Sequence, residues 1–405
     1  MNLSYFISKR INKTEAKSFA STIHKIAIAS IATGLAIMIV SFLILEGFEK
    51  TIKEKNFSFA GHLNITKFTQ SNSYDEMPIS TENDLYQNYQ QFDFIEHIQE
   101  VSYKFGLVRT DNAVSGIILK GIGKTFDLER FKTNIVEGEF IQFNDSVYSK
   151  DIMISKRISN TLGLKVDDEV VMHFIQNPPR RRLLKVSGIY DTGLEEFDDK
   201  IILGDIAMIQ RLNGWGDEEV GGYELYIKDF DDLEEAERVL DSNVDYDLYV
   251  EKVTDRFVQI FDWLTLINRQ VLIFLGLILF VACFNMASIL LILIMERTQM
   301  IGLLKAMGAT NNQIRSFFIY NGILIIVKGA LIGNAIALIF ATIQYYFKII
   351  PLDYENYFMN YVPIEWNWGI IVVLNILTIF IVSVVLLLPS MIISRIRPIK
   401  AIRFD

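Results

Sequence analysis

The chain has 405 residues, enough for two or three domains, but 51% of them are hydrophobic and these gather in a few long runs, which excludes an ordinary soluble protein. The formal net charge of −9 averages over segments of opposite sign. The one cysteine, Cys283, lies in an apolar run and excludes an intramolecular disulfide, while histidines 24, 62, 97 and 173 show no metal-ligand spacing.

Residues 1–25 read as a basic, amphipathic segment on the cytoplasmic side. Ile26–Leu45 contains no charge and approaches the roughly 20 residues that cross about 30 Å of hydrocarbon. It ends in Leu45-Glu46-Gly47-Phe48 without a small-x-small cleavage site, so a signal anchor is the reading, not a cleaved signal peptide. Residues 46–267 form a large domain. A second span, Val271–Met295, is uncharged; a loop follows at 296–316. The third span, Phe317–Ile343, carries a single charge, Lys328, and leads to a short loop at 344–367. The fourth, Trp368–Leu388, opens beside Trp366 and Trp368, where an interfacial aromatic belt would sit, and 389–405 is a tail.

Four spans put both termini and the 296–316 loop on one side. Those three segments hold twelve basic and three acidic residues, whereas 46–267 holds 24 basic and 42 acidic. The positive-inside rule therefore predicts cytoplasmic termini and an external 46–267 domain.

Within that domain the pattern predicts strands at His62–Thr66, Ser115–Lys120, Asp151–Ser155, Glu169–Gln176, Arg182–Tyr190, Tyr223–Lys228 and Tyr246–Val250. Helices are predicted at Lys156–Leu162, stopped by Gly163, and at Asp232–Leu240. Residues 252–268 look helical and run into the second span. The polar stretch 67–90 reads as loop. The fold class is an α+β membrane protein: four transmembrane helices with a large mixed α/β extracytoplasmic domain between helices 1 and 2.

Gly121-Ile122-Gly123-Lys124-Thr125 ends like a phosphate-binding loop, but Ile118 stands where the first glycine belongs, so it reads as a strand closing on a glycine turn. Any ATPase must then be a separate chain, and this chain binds no cofactor itself. In Glu296–Thr310, residues Met300, Ile301, Leu303, Leu304 and Met307 form an apolar face before a Gly308 stop. Such a helix either lies on lipid or seats in a cytoplasmic partner. Pro178-Pro179-Arg180-Arg181-Arg182 is the most basic cluster of the acidic domain, either a solvated hairpin tip or a contact surface. Lys328 is disfavoured in hydrocarbon, and Asn321 lies seven residues earlier on nearly the same face; together they suggest the polar wall of a membrane cavity. Gly322, Gly329 and Gly333 form another stripe, suited to close helix packing.

Val281–Thr310, VACFNMASILLILIMERTQMIGLLKAMGAT, resembles the FtsX-like permease family, and within it the membrane subunits of lipoprotein-releasing (Lol-type) ABC transporters. Leu45–Lys50 (LEGFEK) is similar to that family's N-G-F-E, with Glu46 in place of Asn. Asp151–Phe174 resembles its strand, helix and L-x-L-x-x-G-D-x-V pattern, with Asp167-Asp168 where Gly-Asp is usual, and the closing PSMIISRIRPIKAIRFD resembles its tail. The resemblance implies a MacB-like outer domain and a homo- or heterodimer of membrane subunits, each paired with a cytoplasmic ABC ATPase that binds ATP and Mg. It implies a coupling helix using Glu296, Arg297, Ile301, Leu304, Lys305 and Gly308. It also implies a lipoprotein substrate drawn from membrane lipid, and a periplasmic chaperone hooked by Pro178–Arg182; no nucleic-acid partner is expected. The expected location is the bacterial inner membrane. Two rivals are a MacB-like exporter of drugs or peptides and an FtsX-like regulator of cell-wall hydrolases. Exporters usually carry a fused N-terminal ATPase, and the opening tail of about 25 residues weighs against that type.

Overall fold

The computed structural model describes residues 19–68, 76–110, 113–144, 147–353, 357 and 359–391. The tails 1–18 and 392–405, on which much of the orientation reading rests, lie outside the described residues, as do 69–75 of the polar stretch. The main helices are α1 (Phe19–Ala60), α2 (Lys156–Leu162), α3 (Ile206–Asn213), α4 (Leu233–Asn243), α5 (Val258–Glu296), α6 (Thr298–Ala306), α7 (Asn311–Phe347) and α8 (Trp368–Val385). The chain divides into a membrane unit (1–50, 263–352 and 360–405) and an outer unit (51–262 and 353–359).

Among the described residues, four helices are long and apolar enough to cross a membrane: Thr22–Ala60, α5, α7 and Trp368–Pro389. The first three run 37 to 39 residues, about 55–60 Å at 1.5 Å per residue, so each exceeds the roughly 30 Å of hydrocarbon. The spans read from hydropathy are parts of longer helices: Ile26–Leu45 lies in the first part of α1, and Val271–Met295 in the last part of α5. The helix that contains the first span continues to Ala60, past residue 46.

Close packing organises the membrane unit. A Cβ added at Gly329 would lie 2.8 Å from Ile31, and one at Gly333 would lie 2.7 Å from the Ala32 carbonyl oxygen. Gly329 and Gly333 of the stripe thus let α7 approach α1, while Gly322 faces Leu386. Amides supply direction: the side chains of Asn334 and Asn375 exchange hydrogen bonds of 2.7 and 2.9 Å between α7 and α8. Asn285 of α5 donates to Ser30 of α1 at 2.9 Å.

The described residues of the outer unit form β1 (Leu63–Lys67), β2 (Ile79–Ser80), β3 (Ile95–Arg109), β4 (Val114–Ile122), β5 (Ile135–Gly138), β6 (Asp151–Ser155), β7 (Glu169–Phe174), β8 (Arg180–Tyr190), β9 (Ile201–Asp205), β10 (Glu219–Val220), β11 (Gly222–Ile227) and β12 (Leu248–Lys252). The main sheet runs β12-β1-β11-β3-β4-β9-β6-β8-β5, with β7 bridging β3 and β8. That bridge closes a ring of pairings, β3-β4-β9-β6-β8-β7, back onto β3. β3 can serve two structures because of its length. Its first half pairs with β11, and Gly106–Val108 pair with β7.

Alternation along the strands separates the cores. One cluster gathers Val108, Ile117, Leu119, Ile152, Ile154, Met172, Val186 and Ile202 with α2 and α3. A second joins β1, β11, β12 and α4 through Leu63, Ile65, Leu225, Leu240 and Val250. A third collects Phe59, Phe131, Tyr190, Phe197 and Leu203 around the end of α1. The strand–helix unit at 151–163 is as the pattern predicts: the Ser155 hydroxyl caps α2 by accepting from the Ile158 N–H, and Gly163 ends it at φ +70°. Gly121 and Gly123 close β4 against α3 and the Glu100 carboxylate, consistent with a strand-end turn and not a phosphate loop.

Candidate functional site

The stretch read as one apolar face becomes α6, nine residues long, and its stripe is divided lengthwise. Ile301 is fully buried, and Met300 and Leu304 lean on the same cluster, against Leu293, Ile294, Ile314 and Phe318. Leu303 and Met307 remain exposed at 55% and 68%. The side chain of Ile301 thus packs into the bundle, and the exposed apolar flank is Leu303 and Met307. Glu296 is exposed, and Arg297 and Lys305 are half-buried. Gly308 has φ +92° with open space around it, so backbone conformation, not room, calls for glycine there. Thr310 then starts α7 with a capping box completed by Gln313.

In the basic hairpin, β7 and β8 pair Phe174 with Arg180, His173 with Arg181 and Met172 with Arg182, leaving 175–179 as the tip. The three arginines have different surroundings. Arg180 donates to the Arg211 and Leu212 carbonyls at 3.0 and 3.3 Å, and Gln176 also reaches Leu212 at 3.2 Å. Those carbonyls end α3, where a cation is favoured by the helix dipole, so Arg180 braces the hairpin. Arg182 is half-buried and donates to the Arg181 carbonyl at 3.0 Å. Pro178, Pro179 and Arg181 are exposed.

Lys328 lies on the exposed side of α7 beside Val327 and Leu331, opposite the buried Gly329 and Ala330. Asn321 is half-buried on the same side of the helix.

Two segments singled out for their resemblance take on a physical role only in the fold. At the outer ends of the membrane helices Glu46 accepts from Asn367 at 2.9 Å, Glu49 from Asn268 at 3.3 Å, and Lys50 bonds Glu365 at 2.8 Å. Gly47 allows the Pro363 backbone to approach where a Cβ would be only 2.8 Å away. The LEGFEK segment is thus a polar collar. The other is Asp167, which takes φ +73° where the family pattern has glycine. Aspartate tolerates this left-handed conformation better than most side chains, and Lys185 pairs with it at 2.7 Å.

Residues 26–243 match the family described as MacB-like periplasmic core domain, and residues 272–398 match FtsX-like permease C-terminal. The chain is 24% identical over 387 residues to the lipoprotein-releasing system transmembrane protein LolE of Haemophilus influenzae, covering 91% of each. It is 23% identical over 427 residues to LolC of the same organism, covering 100% of this chain and 99% of the relative. Among solved structures, the periplasmic region of MacB from Actinobacillus actinomycetemcomitans aligns at 12% identity and a TM-score of 0.35, over 51% of this chain and 96% of that one.

Proposed function

The chain belongs to the FtsX-like permeases that carry a MacB-like periplasmic core domain, and we propose that it is the membrane subunit of an ABC transporter that releases lipoproteins. A separate cytoplasmic ATPase, holding ATP and Mg, would drive extraction of the lipoprotein from the inner membrane and its handover to a periplasmic carrier. The observation that carries this reading is the end-to-end relation to both LolE and LolC, across membrane helices and outer domain alike.

In this reading both termini and α6 are cytoplasmic. Leu303 and Met307, flanked by Glu296, Arg297 and Lys305, enter the ATPase, while Ile301 and Leu304 transmit its push to the bundle and Gly308 lets the chain turn into α7. A second membrane subunit, of the same or a related sequence, completes the transporter. The side of α7 bearing Lys328 and Asn321 faces the path between the subunits, since a lysine turned to lipid is disfavoured. The hairpin tip engages the carrier through Pro178, Pro179 and Arg181, with Arg180 and Arg182 holding its shape.

The test is depletion of this chain followed by membrane fractionation. Lipoproteins should accumulate in the inner membrane; an unchanged distribution, with growth intact, would end the proposal.

A further inference from the structure

Lys120 of β4 and Glu224 of β11 form an ion pair whose side chains are both 0% exposed. The Lys120 Nζ lies 2.7 and 2.9 Å from the two Glu224 oxygens. Gln99 donates to one of those oxygens at 2.8 Å and the Tyr103 hydroxyl to the other at 3.0 Å. Both partners stand on β3, directly opposite: Gln99 pairs with Glu224, and Tyr103 with Lys120. Burial pushes the Lys120 ammonium down, and the Glu224 carboxylate works against that.

The network reaches beyond the sheet in two directions. Lys120 donates to the carbonyl of Phe59, in the last turn of α1, and Asn64 caps the Ala60 carbonyl at 3.2 Å. These carbonyls have no partner within the helix. On the other side Arg256, in the helical turn Val253–Arg256 that precedes α5, sits over the Tyr103 ring at 5.3 Å. The residue itself is exposed, and Tyr103, Glu224 and Glu251 favour its charged form. The end of α1 and the start of the path into α5 thus converge on one cluster.

Stability does not explain it. A buried ion pair is often no better than apolar side chains of equal volume, although losing one partner is severe. Directional bonds supply a fixed geometry, because apolar contacts permit sliding and a carbonyl–ammonium–carboxylate chain does not. We infer that Tyr103, Lys120, Glu224 and Arg256 are positioning residues for transport, a joint that fixes both membrane-linked helical segments to one point of the central sheet. Their role in transport rests on the function proposed above; the joint itself does not.

The test uses the full chain with its ATPase in proteoliposomes and the variant Lys120→Met/Glu224→Leu, which replaces the pair by apolar side chains. It should insert, bind the ATPase, hydrolyse ATP at the basal rate and melt no lower than the wild type. Backbone amides at 57–62 and 253–257 should exchange about tenfold faster, with those of β6 unchanged. Lipoprotein released per ATP hydrolysed should fall about tenfold. The exchanged pair Lys120→Glu/Glu224→Lys restores opposite charges but cannot donate to the Phe59 carbonyl, and should remain uncoupled. Normal exchange at those amides, or faster exchange with a wild-type release ratio, overturns the inference. A wild-type protein that releases no lipoprotein sinks the transport reading instead, and the exchange arm, which needs no lipoprotein, still decides the joint.

Discussion

In the outer unit the polar interior is ionic: Lys120 and Glu224 are enclosed by Gln99 and Tyr103 amid three apolar clusters. In the membrane unit, apart from the Glu46 and Glu49 bonds of the collar, the buried and part-buried side-chain bonds described between its helices are neutral. Asn334 and Asn375 exchange amides, Asn285 meets Ser30, and buried Gln344 accepts from the Ile350 N–H and donates to the Val362 carbonyl. The difference follows from the surroundings. Water drives the outer unit together, so its apolar clusters can support one buried pair that sets geometry. Lipid gives apolar side chains no reason to leave it, so the bundle relies on glycine-permitted contact and a few amides.

This contrast is sharpest when one charge is removed. Glu224→Ala leaves an unpaired ammonium and should destabilise the outer unit by about 3–5 kcal/mol, read as loss of protection at β1 and β11 amides in the full chain. A loss below about 1 kcal/mol would mean that water reaches Lys120 and the site is not dry.

His62 gives the next effect. Burial, with Arg130 nearby, pushes its imidazole down to about 4, and its Nδ1 accepts from the Ile227 N–H at 3.0 Å. Because the folded value lies below the unfolded one, its contribution is complete above about pH 6.5 and is lost as pH falls toward 4. Relative to His62→Gln, the wild type should lose on the order of 3 kcal/mol across that window. Parallel pH curves for the two proteins would contradict the assignment. The membrane unit holds no comparable group among its described buried side chains.

Gly333→Leu should cost about 1–3 kcal/mol, because α7 must move off the Ala32 carbonyl. Gly276→Ala, with nothing within 4 Å, should be neutral or slightly stabilising. Equal melting temperatures for both would deny that backbone contact holds the bundle. The smallest effect is a double-mutant cycle on Asn334 and Asn375, expected near 0.6 kcal/mol; a coupling as large as that of the ionic pair would erase the contrast.

The membrane spans were legible because an uninterrupted apolar run is a direct image of hydrocarbon. So was the 151–163 unit, where a buried strand, a serine cap and a stop glycine follow one another. β3 was not: Glu96, Gln99, Glu100 and Lys104 interrupt Ile95–Arg109, since its halves serve different pairings. The β9–α3 junction went unread although Asp205 caps α3 by accepting from the Ala207 N–H, because Gly204-Asp205 in a short apolar stretch equally fits a turn. Lys120 and Glu224 are 104 positions apart and look like solvent-facing strand residues until the topology brings them together. Sequence spacing grouped Ile301 with Leu303, and only the fold shows that one faces inward and the other outward. In the hairpin the three arginines look equivalent in sequence, and the end of α3 distinguishes Arg180.

The central claim is that ATP hydrolysis beneath the membrane unit is converted into release of lipoprotein above it. Proteoliposomes containing this chain, its ATPase and a labelled lipoprotein, incubated with a soluble carrier, test it directly. The account predicts that label passes to the carrier only with hydrolysable ATP, and that Leu303→Asp, on the exposed flank of α6, abolishes the transfer while the protein still inserts. Label that stays in the membrane with ATP present, or leaves it equally well without ATP, would contradict it.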